Sequence, residues 1–254
     1  MLTLRRHSKA VGRAHHAYDI GIVDAFGGHK SIGFAETPTN GEPWMLPVAT
    51  NRHIIIPTRL AQRASRYFTL TDYGYRIRVG KVVPTRERES LRTTPTKGTL
   101  PLLWASAVRP DGTFSATGGG RSKNPLWFLP PVKDVPFATK GPSVLVQRTS
   151  NRDQNRRLNA APVCPKFLKV HRQHGFVAEN HVIILEALDD PRVSPASLAQ
   201  ILNSPAANQR FSAVSGSFSV SAKILGRLAL PDPDLLPLET DKKFTAKIEA
   251  CFEA

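Results

Sequence analysis

Val182-Ile183-Ile184-Leu185-Glu186-Ala187-Leu188-Asp189-Asp190-Pro191-Arg192-Val193-Ser194-Pro195-Ala196-Ser197-Leu198-Ala199-Gln200-Ile201-Leu202-Asn203 changes its hydrophobic period half-way along. Its first four residues are a β-branched apolar run, the pattern of a buried strand. After Asp189-Asp190 the spacing becomes helical. Ser194 is an N-cap, Pro195 takes the first helical position, Leu198, Ile201 and Leu202 form a stripe, and Pro205 stops it. Strands upstream and helices downstream of this point predict an α+β fold rather than alternating β and α units.

Working upstream, Val144–Gln147, Leu100–Ala107 and the alternating Tyr73–Val83 read as strands among loops. Leu2-Thr3-Leu4 and Ile20–Val23 are two more, the second closed by Gly27-Gly28, and Ile54-Ile55-Ile56 follows a Pro/Gly loop. Thr58 caps an expected helix that runs to about Tyr67. Working downstream, a second helix carries Phe211 and Val214 and ends at Gly216, Ser217–Val220 is a strand, and Ser221 caps a short turn near Gly226. The tail from Glu239 is an amphipathic helix with Phe244 and Ile248 inward. The expected architecture is a twisted, mostly antiparallel sheet carrying basic loops, with a C-terminal helical hairpin (194–216) packed beside it. Three segments are expected: 1–51 as a linker-like lead, 52–231 as the main domain, and 232–254 as a C-terminal helix.

The 254 residues carry 35 Lys and Arg against 20 Asp and Glu, a formal charge of +15, with 41% hydrophobic residues. That hydrophobic content supports a buried core and excludes wholesale disorder. Residues 52–172 hold 23 basic and 6 acidic side chains, a net +17, and favour Arg over Lys. Such a field attracts polyanions, and Arg suits bidentate contact with phosphate and guanine. No apolar run approaches the roughly 20 residues that span a bilayer, and the basic N-terminus lacks the apolar stretch of a secretory signal, so a cytoplasmic protein without membrane contact is expected. Cys164 and Cys251 make neither a disulfide framework nor a zinc site, and His15-His16 lacks partners at metal spacing.

Several stretches then fall into one order: Thr71-Asp72-Tyr73-Gly74 with Val79-Gly80, Leu100-Pro101-Leu102-Leu103-Trp104-Ala105, Val144-Leu145-Val146-Gln147-Arg148-Thr149 with Arg156-Arg157, and Glu179-Asn180-His181. Ser194-Pro195, Ile201-Leu202-Asn203-Ser204, Phe211-Ser212-Ala213-Val214-Ser215-Gly216-Ser217 and Val220-Ser221-Ala222 follow. The series, over about residues 52–231, resembles the target-recognition half of the adenine-specific DNA methyltransferases of restriction-modification systems, a domain related to type I specificity subunits. The resemblance implies sequence-specific binding of double-stranded DNA. Residues 1–51 look like the end of a catalytic domain plus a linker.

The candidate contacts follow from side-chain chemistry. Arg148 bridges phosphates or reads guanine, Gln147 reads adenine, and Thr149 ends the same strand; the alternative for Arg148 is an internal ion pair. Arg156-Arg157 reads as a phosphate clamp. Asn180-His181 is equally a DNA contact or a satisfied polar turn. Ser215-Gly216-Ser217 suits a phosphate or plain helix capping. Arg121 and Lys123, in the Gly-rich loop after Gly118, and Arg76, Arg78 and Lys81 complete the basic set. Trp104 and Trp127 read as core and loop anchors.

Two stretches imitate the catalytic motifs of those enzymes. Asn124-Pro125-Leu126-Trp127 has leucine where the adenine-binding motif has a second proline, and Asp24-Ala25-Phe26-Gly27-Gly28-His29 lacks the third glycine of the S-adenosylmethionine loop. Neither is taken as catalytic. The chain alone is therefore expected to be inactive and to hold no cofactor, with S-adenosylmethionine belonging to a parent enzyme or to a catalytic domain or subunit that docks on residues 1–51. Whether the chain is a natural split subunit or a truncated reading frame stays open in the sequence, as does the target sequence. A general nucleic-acid-binding protein, for which charge alone would suffice, and a divergent complete enzyme are the alternatives.

Overall fold

A computed structural model describes residues 2–6, 17–23, 26–36, 48–49, 54–55, 68–118, 124–131, 135–149, 156–215, 219–237 and 244–252. The chain divides into two compact units, residues 1–66 with 209–216, and residues 67–208 with 217–254. The first unit contains a three-stranded antiparallel sheet, β1 (Leu2–Arg6), β2 (Ala17–Val23) and β3 (His29–Glu36), and the short pair β4 (Val48–Ala49) and β5 (Ile54–Ile55). The helix expected from Thr58 lies outside the described residues.

The second unit is built on two four-stranded sheets. One runs β11 (Ala160–Pro162), β10 (Ser143–Gln147), β13 (Val182–Ala187), β6 (Tyr75–Val79), antiparallel throughout. The other runs β12 (Val177–Ala178), β8 (Leu100–Leu103), β9 (Trp127–Phe128), β7 (Leu91–Arg92), with β12 and β8 parallel. The fold is α+β, as the change of period at residues 189–194 predicts.

Val144–Val146 and Val182–Leu185 are buried at every position. Both strands lie inside the sheet and are covered on both faces, so their apolar runs are continuous instead of alternating. Leu145, Val182 and Ile184 take one face, in a core with Leu103, Val108, Ala161 and Phe176. Removing each such side chain from water contributes about 1.5–3 kcal/mol. Tyr73 and Tyr75 are fully buried with their hydroxyls satisfied, donating to the Pro231 and Val193 carbonyls at 2.9 and 2.8 Å. Burial pushes the Tyr73 phenol well above its usual value.

α1 (Pro165–Val170), with proline in its first turn, was not marked by any apolar stripe. α2 (Pro195–Asn203) begins where expected, with Ser194 Oγ accepting the Ser197 amide at 3.1 Å, and packs on β10 and β11. Pro205 does more than end α2: it opens α3 (Pro205–Val214), and Ser204 Oγ accepts the Ala207 amide at 3.2 Å. α4 (Ala222–Leu225) is capped by Ser221, and α5 (Phe244–Cys251) turns Phe244 and Ile248 inward.

Candidate nucleic-acid interface

The antiparallel register gathers several chain segments at one end of the β11-β10-β13-β6 sheet. Gln147 pairs with Val182 and Val79 with Ile183, so β10 and β6 finish where β13 starts. The Arg148 amide donates to the His181 carbonyl at 2.8 Å, and the Gly80 amide to that of Val182 at 2.8 Å. Thr149 forms a bridge with Ser219, and the Gln147 amide reaches the Asn159 carbonyl at 3.0 Å, which brings residues 156–159 to the same end. Lys81, Thr149, Asn180, His181, Arg148, Arg156 and Arg157 therefore share one rim built from four separate segments.

The side chains differ in what they do there. Gln147 lies on the face of Leu145 and Ile184 and donates its amide nitrogen to the Ala105 and Val108 carbonyls, at 3.0 and 2.9 Å, fastening the 105–108 turn to the sheet. Arg148 donates one N–H to the Asn180 carbonyl at 3.0 Å; among the described residues it makes no ion pair. A guanidinium has five donors in a fixed fork, so one bond orients it without exhausting it. Thr149, Lys81 and His181 are exposed. Arg156 donates to the Asn203 carbonyl at the end of α2, at 3.3 Å, and to the Pro110 carbonyl. A cation beside the last carbonyls of a helix is favourably placed, so Arg156 acts as a clip between α2 and the 109–112 turn. The Arg157 backbone is anchored by Asn208 Oδ1 at 2.8 Å, and burial lowers its guanidinium pKa below the usual value.

Arg76 and Arg78 differ from Arg148 and Arg156 in being tied to an acid. Both meet Glu186 Oε2, at 2.6 and 2.9 Å, and Arg78 also donates to Thr139 Oγ1 at 2.7 Å. Arg78 and Lys81 line an open groove of about 740 Å³ with Ile77, Pro136, Phe137 and Ile184. Ser215 is buried, and its hydroxyl has no partner among the described residues. Arg121, Lys123, Gly216 and Ser217 lie outside the described residues.

Models of protein families, curated proteins and solved structures yield no match to this chain.

The two motif-like stretches sit in other surroundings. The Pro125 carbonyl accepts the Trp104 indole N–H at 2.6 Å, and Trp127 belongs to β9 and meets His171 edge-on, with ring centroids 6.0 Å apart. Asp24 is outside the described residues; Gly27 sits at a φ of 84° in the connection from β2 to β3, beside Phe26, whose side chain is 99% exposed. A sheet strand and a hairpin tip do not fit a nucleoside cradle at a strand-to-helix turn, and no catalytic step is derived through them.

Glu179 is the residue that reading by charge passes over. Its side chain is 3% exposed, and its oxygens accept the Ala105 amide at 3.2 Å and the His181 amide at 2.8 Å, with His181 Nδ1 also 2.8 Å from Oε2. The signal available beforehand is an acidic residue two positions before a histidine, between two strands.

Proposed function

We propose that this chain is the target-recognition part of an adenine-specific DNA methyltransferase, reading duplex DNA with the rim that carries Arg148, His181, Thr149, Lys81 and Arg157. The carrying observation is that these residues are brought from separate segments to one sheet end, with Arg148 oriented by a carbonyl and without an ion pair among the described residues. Phosphate contacts from Lys81 and Arg157 position the duplex, and the Arg148 fork matches the O6 and N7 acceptors of guanine. Methyl transfer and S-adenosylmethionine binding belong, in this reading, to a catalytic domain or subunit, as the resemblance to adenine-specific DNA methyltransferases implies.

The test is affinity for random duplex between 50 and 200 mM salt, followed by selection from a randomised duplex library. Each neutralised phosphate contributes a log–log slope of about −0.9, so several contacts give a steep loss. An enriched motif that Arg148→Ala no longer selects supports base reading at the rim. A flat salt response, or selection that returns no motif, would overturn the reading.

A further inference from the structure

We infer that Glu179 fixes the tautomer of His181 and makes it an acceptor for exocyclic amino groups in the major groove, a refinement that rests on the DNA reading above. Oε2 of Glu179 already accepts the His181 amide, so what it presents to Nδ1 at 2.8 Å is a lone pair. Two lone pairs cannot bond, and the Nδ1 of His181 therefore carries the proton. In the neutral ring the remaining lone pair is on Nε2. The imidazole is 51% exposed while the carboxylate beneath it is 3% exposed, so the acceptor is outside and its orienting group inside. The Ala105 amide on Oε1 pins the carboxylate from the other side, so its direction is set by two chain segments.

The chemistry of the rim gives this acceptor a distinct task. Lys81, Arg148 and Arg157 offer only N–H donors, which suit phosphate oxygens and the acceptor edge of guanine. Their complement in the major groove is an amino donor, N6 of adenine or N4 of cytosine. A neutral Nδ1–H imidazole is an acceptor that accepts such a hydrogen. The opposite tautomer would duplicate what the arginine already supplies.

The experiment uses the full chain at pH 8. Histidine-selective 15N labelling reads the tautomer directly: the Nδ1–H pattern for His181 is expected in the wild type. Glu179→Gln, whose single amide oxygen cannot accept from both the Ala105 and His181 amides, should weaken that bias and raise the Nε2–H share. The duplex enriched by selection is then rebuilt with 2-aminopurine for each adenine and pyrimidin-2-one for each cytosine, deleting one major-groove amino group at a time. One position should weaken wild-type binding about fivefold, the scale of a single hydrogen bond, and His181→Ala should be indifferent at that position alone. His181 is on the surface, so this variant remains informative even where Glu179→Gln fails to fold. An Nε2–H pattern in the wild type, or indifference to every amino deletion, would sink the inference while leaving duplex recognition standing. Absence of any salt-dependent duplex binding would sink both.

Discussion

Two groups of arginines on the central sheet differ in what their guanidinium groups meet. Away from the rim, Arg76 near the start of β6 and Arg78 near its finish converge on Glu186 across the β6–β13 pair, directly and diagonally. At the rim, Arg148 and Arg156 donate to backbone carbonyls. A carbonyl orients a guanidinium and leaves its charge; a carboxylate orients it and cancels the charge. The same contrast separates two histidines. His181 stands over a carboxylate, whereas His171 lies between Phe167 and Trp127, with ring centroids 4.6 and 6.0 Å away. Equal positive charge in the sequence therefore means unequal positive charge offered to a polyanion.

The largest expected effect removes one side of the contrast altogether. A Cβ on Gly80 would stand 2.0 Å from the Glu179 carbonyl oxygen and 2.6 Å from that of Ala178, backbone atoms that have no rotamer to escape into. Gly80→Ala should cost about 3 kcal/mol or more, lower Tm by roughly 10 °C, and abolish duplex binding with it. Thermal unfolding by circular dichroism checks this; unchanged Tm would mean the junction of the two sheets is loose enough to yield.

Next come the charges, one from each group. Arg148→Ala should weaken binding to the selected duplex by about 1–3 kcal/mol and leave Tm within about 2 °C, because only one carbonyl bond is lost from the fold. Glu186→Gln should do the reverse. It leaves Arg78, whose Nε is buried without a hydrogen-bond partner among the described residues, short of its carboxylate, at a cost of about 1 kcal/mol in stability and none in DNA affinity. Arg76 is more exposed, so Arg76→Ala should change stability by less than about 0.5 kcal/mol. Fluorescence anisotropy beside denaturant melts separates these outcomes. If Glu186→Gln strengthens duplex binding tenfold, the two groups form one electrostatic surface and the contrast fails.

How much of this was legible follows from what period and punctuation can encode. The runs at 144–147 and 182–185, the Ser194-Pro195 start and the Phe244/Ile248 face are local patterns, and each stands where its pattern places it. α1 escaped because Pro165-Lys166-Phe167-Leu168-Lys169-Val170 is a single turn and a half, too short to show a helical stripe. The parallel pairing of β12 with β8 joins residues some 75 positions apart, which no window reports. Among candidate contacts, sequence identified basic residues but not their partners. Gln147 and Arg156 carry the right donors for DNA, yet turn them onto the Ala105, Val108, Asn203 and Pro110 carbonyls, and those neighbours are set by tertiary pairing alone.

The smallest effect sharpens the contrast between the two histidines. Burial among aromatic rings lowers the His171 pKa, since the charged imidazolium is the form disfavoured by partial loss of water. A depressed pKa means that the unfolded chain binds the proton more tightly than the folded one. Its contribution to stability is therefore complete above the ordinary imidazole value, near pH 6.5, and is lost as pH falls below it toward the lowered folded value. The ring is only partly buried, so the effect is modest. His171→Phe keeps an aromatic group at the site and removes the titration. Between pH 7.5 and 5.5 the wild type should lose about 1 °C more of Tm than this variant, with duplex affinity unaltered in both because His171 lies off the rim. Equal losses in Tm would show that His171 takes up its proton in the fold as readily as in the unfolded chain, and that its aromatic setting does not disfavour the imidazolium.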